Sequence, residues 1–410
     1  MSEIKIITGG VTAAKGYEAA GCAAGLRKKE RLDVAMVYSQ VPAKIAGTFT
    51  TNVVKAAPVK WDQMIVREEE TARAIVLNSG IANACTGAEG LAANAAMADA
   101  AAQALGVKSN EILTASTGVI GMQLPLEKIV HGMKLLAEAK AEGAEAAHQA
   151  ALAIMTTDTI PKEVAVTFEV QGKTVTIGGM SKGSGMIHPN MATMLGVLTT
   201  DLAISKKLLQ EALSNDVVDS FNMISVDRDT STNDTLVIFA NGLAGNVEIT
   251  EKDADYEAFC EALHVVTTSL AKIMAGDGEG ASKLLEVTVE HAADKPKART
   301  LAKAVITSNL VKTAIYGSDA NWGRILCAMG YSGADFDPEV VDITIVSIAG
   351  VSKIVANGMA TDYSEEFATE ILKQEKVTVL VDMKEGDASA TAWGCDLTYD
   401  YVKINGDYRS

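Results

Sequence analysis

The stretch that decides the fold is "KGSGMIHPNMATMLGVLTTD", Lys182 to Asp201. Its first half is rich in Gly and small polar residues and contains a Pro, which is typical of a loop. Its second half, after Thr193, is a short apolar run that ends in turn residues, and this pattern predicts a buried strand. Thr193, with its hydroxyl side chain, therefore stands where the predicted loop meets the predicted strand.

Thr193 is a candidate nucleophile. A Thr hydroxyl is weak until a base takes its proton, and His188 is the only nearby side chain that could act as that base. Cleavage of the chain before Thr193 would solve the problem, because the new α-amino group has a pKa of about 7.7–8.0 and can act as the base. The hydroxyl could make this cut by attacking the Ala192 carbonyl. The alternative is an ordinary strand residue, since Thr is a good strand former.

The segments around this stretch predict mixed α/β layers. "EVAVTFEVQGKTVTIGGM" is typical of a hairpin with "QGK" at the turn, and "DTLVIFANG" and "LLEVTVEHA" predict further strands. The Ala-rich "GLAANAAMADAAAQALG" predicts a buried helix that ends at Gly106. With 410 residues, the chain is long enough for two domains or one large α/β unit. Periodicity does not give the strand order.

Composition excludes several function classes. The net charge of −16 disfavours binding to nucleic acid or to an anionic membrane. No run of about 18 apolar residues predicts a membrane span, and the first residues do not have the pattern of a signal peptide. The five Cys and five His residues are scattered, without metal-ligand spacing, so we expect buried, reduced thiols and no metal site.

Two glycine-containing turns are candidate site elements. In "TASTGVIGMQLP", Thr117 and Gly118 could present a hydroxyl and a backbone N–H in one direction, as an oxyanion hole does; an ordinary turn is the alternative. In "MAGDGEGASK", Glu279 lies between two glycines and could bind a substrate ammonium or simply be solvated. The acids in this loop would repel phosphate, so it is not a nucleotide loop.

Three polar segments remain open. "MTTDT", residues 155–159, could cap a helix or form a binding loop. "SVDRDTSTNDT", residues 225–235, favours a structural hydrogen-bond network over a catalytic role. The tail "DYVKINGDYRS" is expected to be frayed, and ordered polar side chains there would indicate a lid or a substrate contact.

Taken together, these motifs resemble the ornithine acetyltransferase (glutamate N-acetyltransferase) family of arginine biosynthesis. The resemblance covers essentially the whole chain, and "HPNMATML" is its most specific part. The matching blocks run in order through "GGVTAAKG", "NSGIANACTG", "TGVIG", "TTDT", "KGSGMIHPNMATML", "DGEGASK", "GSDANWGRI" and "INGDYRS".

The resemblance implies a fold and an assembly. The fold is a layered α/β arrangement of four layers, α-β-β-α, with a smaller subdomain in the C-terminal half. Cleavage between Ala192 and Thr193 would give an alpha chain, residues 1–192, and a beta chain, residues 193–410. The two chains would intertwine and associate as a heterotetramer of two of each.

The resemblance also implies residue roles. Thr193 is the expected nucleophile, and Thr117 and Gly118 form the expected oxyanion hole. Ser410 ends this chain where the family often ends in Thr, which keeps the terminal hydroxyl and carboxylate. The implied substrate-binding residues are Thr156, Lys182, Thr193, Glu279, Asn405 and Ser410.

The implied reaction is acetyl transfer from N2-acetylornithine to glutamate through an acetyl-Thr ester, in the cytoplasm and without a cofactor. Some family members also take acetyl from acetyl-coenzyme A, and the sequence leaves open whether this chain does. A self-cleaving aminopeptidase or amidohydrolase with a similar fold is one alternative; it would pass the acyl group to water. A binding protein without enzymatic activity is the other.

Replacement of the proposed nucleophile tests this hypothesis. We expect Thr193→Ala to give a single uncut chain without activity, because the variant has no hydroxyl to attack the Ala192 carbonyl. Intact mass and N-terminal sequencing will show whether the fragments 1–192 and 193–410 form. A cut, active Thr193→Ala protein would contradict the hypothesis.

Overall fold

The computed structural model describes residues 3–27, 31–188 and 194–407. The strands are β1 (Lys5–Ile7), β2 (Tyr17–Cys22), β3 (Val34–Phe49), β4 (Thr71–Ile81), β5 (Ile112–Val119), β6 (Lys162–Val170), β7 (Lys173–Lys182), β8 (Leu195–Thr200), β9 (Ile224–Ser225), β10 (Thr235–Ala240), β11 (Leu284–Ala292), β12 (Asp342–Ser347), β13 (Gly350–Ala356), β14 (Met359–Ala360), β15 (Lys376–Asp382) and β16 (Ala388–Cys395). The α-helices are α1 (Ala57–Glu68), α2 (Gly87–Leu105), α3 (Leu126–Ala139), α4 (Ala144–Ile154), α5 (Lys206–Asp216), α6 (Ala254–Gly276), α7 (Lys295–Thr307), α8 (Asn309–Tyr316), α9 (Trp322–Gly330), α10 (Glu365–Leu372) and α11 (Tyr399–Asn405).

The long strand β3 organises the first sheet. Its first half pairs with β2 and β4, and its second half pairs with β10. The strand order is β1-β6-β7-β8-β10-β3-β4-β5, with β2 beside β3. Only the pairs β8–β10 and β4–β5 are parallel; the others are antiparallel. A strand that exchanges partners along its length connects two parts of the sheet that pack on each other.

Alternation along the strands divides the apolar side chains into separate clusters. In β10, Val237 and Phe239 belong to an inner cluster that β3, β4 and β5 share, whereas Leu236 and Ile238 belong to an outer cluster. Residues of β4 alternate in the same way between the inner cluster and a second outer cluster. Because successive side chains point to opposite faces of a strand, two β-layers face each other across the inner cluster.

Helices cover both outer clusters. The helices α2 and α3 pack over β3 and β4, and α5 and α6 pack over β6, β7, β8 and β10. The layer order is therefore α-β-β-α, and the predicted four-layer architecture is confirmed. The Ala-rich helix α4 also joins the inner cluster, where small side chains such as Ala147, Ala150 and Ala151 let it approach the strands closely.

The second sheet forms the smaller subdomain expected in the C-terminal half. Its order is β14-β13-β12-β15-β11-β16-β9. In β11, the buried side chains Leu285, Val287 and Val289 alternate with more exposed ones. This strand and β16 pack against α7, so one face of the second sheet carries its own helical layer.

Helix α6 connects the two sheets. By length and composition it is the one described helix that could cross a membrane. It contacts β6 and β7 of the first sheet and β16 of the second. Phe259, Leu263, Val266 and Leu270 on this helix are fully buried among these strands. Its apolar character is therefore that of a core helix.

Most local predictions are confirmed. The β6–β7 hairpin turns at Gln171 and Gly172, whose φ angles of 51° and 68° suit a two-residue turn. Helix α2 ends at Gly106, which has φ 70°. The tail, in contrast, forms α11 and is not frayed up to residue 407. The expected burial of the thiols is wrong for Cys85 and Cys327, which are exposed.

The expected cut after Ala192 lies outside the described residues, but the strands on either side of it share one sheet. The strand β7, before the cut, pairs with β8, after it, from Ile177↔Thr200 to Lys182↔Leu195. The strand β10 pairs with β3 over six residues. Two ladders of backbone hydrogen bonds would therefore hold the two chains together.

We expect cleaved protein to remain one particle. Size-exclusion chromatography in native buffer should elute both fragments together, at the volume of the uncut Thr193→Ala chain, because shared ladders and a shared core join them. The same sample in guanidinium chloride should give two separate species. Fragments that separate in native buffer would contradict the shared-sheet structure.

Candidate functional site

A cleft of about 140 Å³ opens where β5, β7 and β8 meet the segments before β10 and after α6. Its walls combine polar side chains with a few apolar ones, as is usual for a site that binds a small molecule. Met194 and Leu195 line it at the start of β8. Met194 directly follows Thr193, the proposed nucleophile, in the chain.

Thr117 and Gly118 lie near the end of β5, in one wall of the cleft. Gly118 has φ 127°, in the region that favours glycine. A Cβ atom at this position would lie 2.2 Å from the carbonyl carbon of Gly80 on the neighbouring strand β4. Only glycine fits at position 118, so the backbone conformation of Thr117 and Gly118 is specified more tightly than that of an ordinary turn.

Lys182 ends β7 and brings a buried cation to the same wall. Its side chain is 8% exposed, and its Nζ donates a long hydrogen bond of 3.4 Å to Oγ1 of Thr117. Burial lowers the pKa of Lys182, while the carboxylates of Asp158 and Glu279 oppose this effect. The Thr117 hydroxyl accepts from Lys182, so its own proton stays available for a ligand.

Asp158 links Thr156 to the segment after β7. Its Oδ2 accepts from the Thr156 N–H at 3.0 Å, and its Oδ1 accepts from the Gly183 N–H at 2.7 Å. Burial raises the pKa of Asp158, but the positive charges of Lys182 and Lys162 outweigh burial and lower it to about 2. The carboxylate is therefore charged and holds two walls of the cleft in place.

A buried lysine bridges two acids below the cleft. Lys162 Nζ donates to Asp158 Oδ1 at 2.7 Å and to Asp277 Oδ2 at 2.6 Å, and the side chains are 0%, 0% and 5% exposed. The backbone oxygen of Asp277 accepts from Ser184 Oγ at 2.6 Å. This network joins the loop after α4 to the loop that carries Glu279.

Glu279 projects into the cleft and is held by the C-terminal helix. Asn405, in α11, donates from Nδ2 to Glu279 Oε2 at 2.6 Å. The Glu279 carboxylate lies against Gly185, where a Cβ atom would come within 2.3 Å of it. The C-terminal segment therefore contributes an ordered polar side chain to the site, as expected for a lid or a substrate contact.

The family follows from sequence comparison. A protein-family model described as "ArgJ family" matches residues 18–410. This chain belongs to the ArgJ family. The arginine biosynthesis bifunctional protein ArgJ of Caldanaerobacter subterraneus is 49% identical over 99% of this chain and 100% of its own. The protein of the same name from Symbiobacterium thermophilum is 51% identical over 98% of this chain and 99% of its own.

A crystal structure of the ArgJ protein of Bacillus halodurans, 47% identical, covers 51% of this chain and 96% of that one, with a TM-score of 0.48. A structure of ornithine acetyltransferase from Mycobacterium tuberculosis, in complex with ornithine, is 42% identical. It covers 46% of this chain and 100% of that one, with a TM-score of 0.44.

The structure brings together every predicted site residue that it describes. Ala192, Thr193 and Ser410 lie outside the described residues. The roles inferred from the ArgJ family stay predictions, but their placement in one cleft is what those roles require. The predicted residues found at the cleft are Thr117, Gly118, Thr156, Lys182, Glu279 and Asn405.

Among residues 3–27, 31–188 and 194–407, no group of three His, Cys, Asp or Glu side chains could hold a metal ion.

Sequence reasoning missed the segment before β10. Residues 231–234 line the cleft, although the sequence favoured a purely structural network for them. The network exists: Asn233 Nδ2 donates to the backbone oxygens of Ala82 and Ser116 at 2.6 and 2.8 Å.

His188 does not line the cleft; its Nδ1 lies 3.1 Å from Ser225 Oγ, and burial lowers its pKa to about 4.

We expect Lys162→Met to destabilise the protein by about 3–5 kcal/mol, because it leaves two buried carboxylates next to each other without a cation. Urea unfolding followed by circular dichroism will measure the change. Lys373→Met is the matched control, since Lys373 pairs with Glu370 on the surface, where both side chains are more than half exposed. A Lys162→Met midpoint equal to that of the control would contradict the buried bridge.

Proposed function

We propose that this protein transfers an acetyl group from N2-acetylornithine to glutamate, with Thr193 as the nucleophile. The observation that carries the proposal is the cleft: Thr117, Lys182 and Glu279 converge there beside Met194. Family membership makes the protein an acyltransferase of arginine biosynthesis. The substrates are small molecules, and the reaction produces ornithine and N-acetylglutamate.

The enzyme matures by self-cleavage. The Thr193 hydroxyl attacks the Ala192 carbonyl, the amide becomes an ester, and water releases the alpha chain, 1–192, from the beta chain, 193–410. The shared sheet supports this proposal, because both chains remain paired through β7–β8 and β3–β10. The αβ pairs assemble further into a heterotetramer with two of each chain.

The first half of the reaction forms an acetyl ester. The Thr193 hydroxyl attacks the acetyl carbonyl while the α-amino group of the same residue takes its proton. The oxyanion that develops accepts from the Thr117 hydroxyl and the Gly118 N–H. The buried cation of Lys182 stabilises this negative charge strongly, because little water screens it.

Charge complementarity explains how one cleft takes both amino acids. The Lys182 ammonium suits a substrate carboxylate, and the Glu279 carboxylate suits a substrate ammonium. Asn405 and Thr156 complete the walls, and Ser410 is a further substrate-binding residue in this proposal. Acetylornithine and glutamate share an α-carboxylate, which the Lys182 ammonium can bind in both. Glutamate therefore replaces ornithine and takes the acetyl group from the ester.

No cofactor takes part, since a Thr ester and an amine nucleophile suffice for the chemistry. Acetyl-coenzyme A is a further acetyl donor, which makes the enzyme bifunctional like the relatives that carry this word in their names. The reaction takes place in the cytoplasm, where amino-acid biosynthesis supplies both substrates.

Incubation with acetylornithine tests the proposed function. With glutamate present, we expect ornithine and N-acetylglutamate in equal amounts, measured by mass spectrometry. Without glutamate, ornithine release should stop after about one equivalent of enzyme, because the ester waits for an amine. Continuous release of ornithine and free acetate would show a hydrolase. A parallel assay with acetyl-coenzyme A and glutamate alone tests the second donor.

The oxyanion hole gives a separate prediction. We expect Thr117→Ala to lower kcat by about 10²–10³-fold, the usual effect of losing one oxyanion donor. Thr117→Ser, which keeps the hydroxyl, is the matched control and should retain most of the activity. Steady-state kinetics on the cleaved proteins will measure both. Equal losses in the two variants would mean that the methyl group matters and the hydroxyl does not.

A further inference from the structure

One buried acid at the cleft has no role in the mechanism above. Asp234 lines the cleft, its side chain is only 1% exposed, and its Oδ2 has no hydrogen-bond partner among the described residues. The other buried side-chain atoms that share this property belong to residues outside the cleft. An unsatisfied buried polar atom costs about 1–3 kcal/mol, so its retention beside a substrate cleft indicates a ligand for it.

The backbone around Asp234 is held rigidly. Its carbonyl oxygen accepts from the Thr50 N–H at 3.0 Å. The preceding residue, Asn233, donates to the carbonyl of Ser116 at 2.8 Å, and Ser116 directly precedes the oxyanion residue Thr117. Hydrogen bonds therefore tie Asp234 and the oxyanion residues to the same framework, as the preorganisation of a catalytic site requires.

Strand register places Asp234 beside the start of β8. Thr235 pairs with Leu195, and its N–H donates to the Met194 carbonyl at 2.8 Å. On the other side of β8, Leu195 pairs with Lys182. Adjacent strands are about 4.8 Å apart, so Asp234 and Lys182 flank the first residues after the proposed nucleophile.

The surroundings of Asp234 favour its neutral form. Burial raises the pKa of this carboxyl well above its usual range. The groups that lower the pKa are the hydroxyls of Ser231 and Thr50, the ammonium of Lys182 and the N–H of Met194, and they do not cancel the effect of burial. A neutral acid carries a proton that it can give away.

We propose that Asp234 is the general acid–base for the reacting nitrogen of the substrates. It protonates the amine that leaves acetylornithine, and it takes a proton from the amine of glutamate that attacks the ester. This inference rests on the proposed acetyl transfer and assigns a group to the one proton that the Thr193 amine does not handle.

The steps balance. In the first half, a C–O bond forms from the Thr193 oxygen to the acetyl carbon, and the carbon–nitrogen bond of acetylornithine breaks. The Thr193 amine keeps the hydroxyl proton as an ammonium, and Asp234 gives its proton to the leaving nitrogen and becomes a carboxylate. In the second half, glutamate reacts as the free amine, after its ammonium has lost one proton to water. Its nitrogen forms the new bond to carbon and gives a second proton to Asp234, and the ester C–O bond breaks. The Thr193 ammonium then returns its proton to the departing Thr193 oxygen.

An asparagine variant tests this role. We expect Asp234→Asn to lower kcat for acetylornithine and glutamate by about 10²–10⁴-fold, the usual contribution of a general acid–base. The KM for acetylornithine should change by less than about threefold, since the amide fills the same space without a transferable proton. Rates are expressed per mole of cleaved chain, counted by intact mass.

The matched control is Asp201→Asn. Asp201 is also fully buried and also has a pKa raised by burial. It follows β8 at the opposite end from the cleft and accepts from the Thr176 N–H at 2.9 Å and the Lys15 N–H at 3.2 Å. Asp201→Asn replaces a buried carboxyl group by an amide in the same way, and we expect it to keep kcat within about tenfold of the wild type.

Asp234→Glu keeps the acid and moves it by one methylene. We expect its kcat to lie at least tenfold above that of Asp234→Asn. Should Asp234→Asn remain uncut, Asp234→Glu is compared with the wild type, where a displaced acid should lower kcat at least tenfold with unchanged KM. A wild-type kcat in that case would overturn the proposal.

The inference is also overturned if Asp234→Asn has a kcat within about threefold of the wild type, if only its KM changes, or if Asp201→Asn loses as much activity. These results differ from failure of the proposed function. In that case the wild-type protein itself forms no N-acetylglutamate, whatever residue occupies position 234.

Discussion

The site depends on the register of three strands. β7, β8 and β10 place Lys182, Leu195 and Thr235 side by side in one row. A slip of one residue would turn every side chain to the opposite face, so the apolar alternation of β8 and β10 between two core clusters also secures the position of the polar groups. The packing of the core therefore fixes the strand register, and the register fixes the positions of the polar groups at the cleft.

The network of Asp158, Lys162 and Asp277 has a different task. Its Asp158 favours the charged form of the buried Lys182, whereas its Lys162 opposes that form. It also joins segments that are distant in sequence, since Lys162 bridges an acid after α4 and an acid after α6. A whole bridge of this kind contributes little net stability compared with apolar residues in its place, but removal of one partner leaves buried charges unpaired. Loss of Lys162 would therefore also separate two walls of the cleft.

The sequence predicted the strands and helices with strong periodicity, such as the β6–β7 hairpin and α2. It could not give the strand order, because β3 exchanges partners along its length and periodicity carries no information about partners. Glu279 and Thr117 were found because glycines surround them. Asp234 was missed because an acid before a strand is ordinary in sequence. Its burial, and an oxygen that no described residue partners, distinguish it in the structure.

The cleft contains two acids whose environments separate their tasks. Glu279 accepts a short hydrogen bond from Asn405, which orients the carboxylate to pair with a cationic substrate. Asp234 has an oxygen without a hydrogen-bond partner in the described part of the chain, and its surroundings disfavour the charged form. One acid that is oriented by a hydrogen bond and one acid that is desolvated give the cleft a binding group and a proton donor. Acetyl transfer between amino acids needs both, since the substrate must be bound through its charges and the reacting nitrogen must exchange a proton.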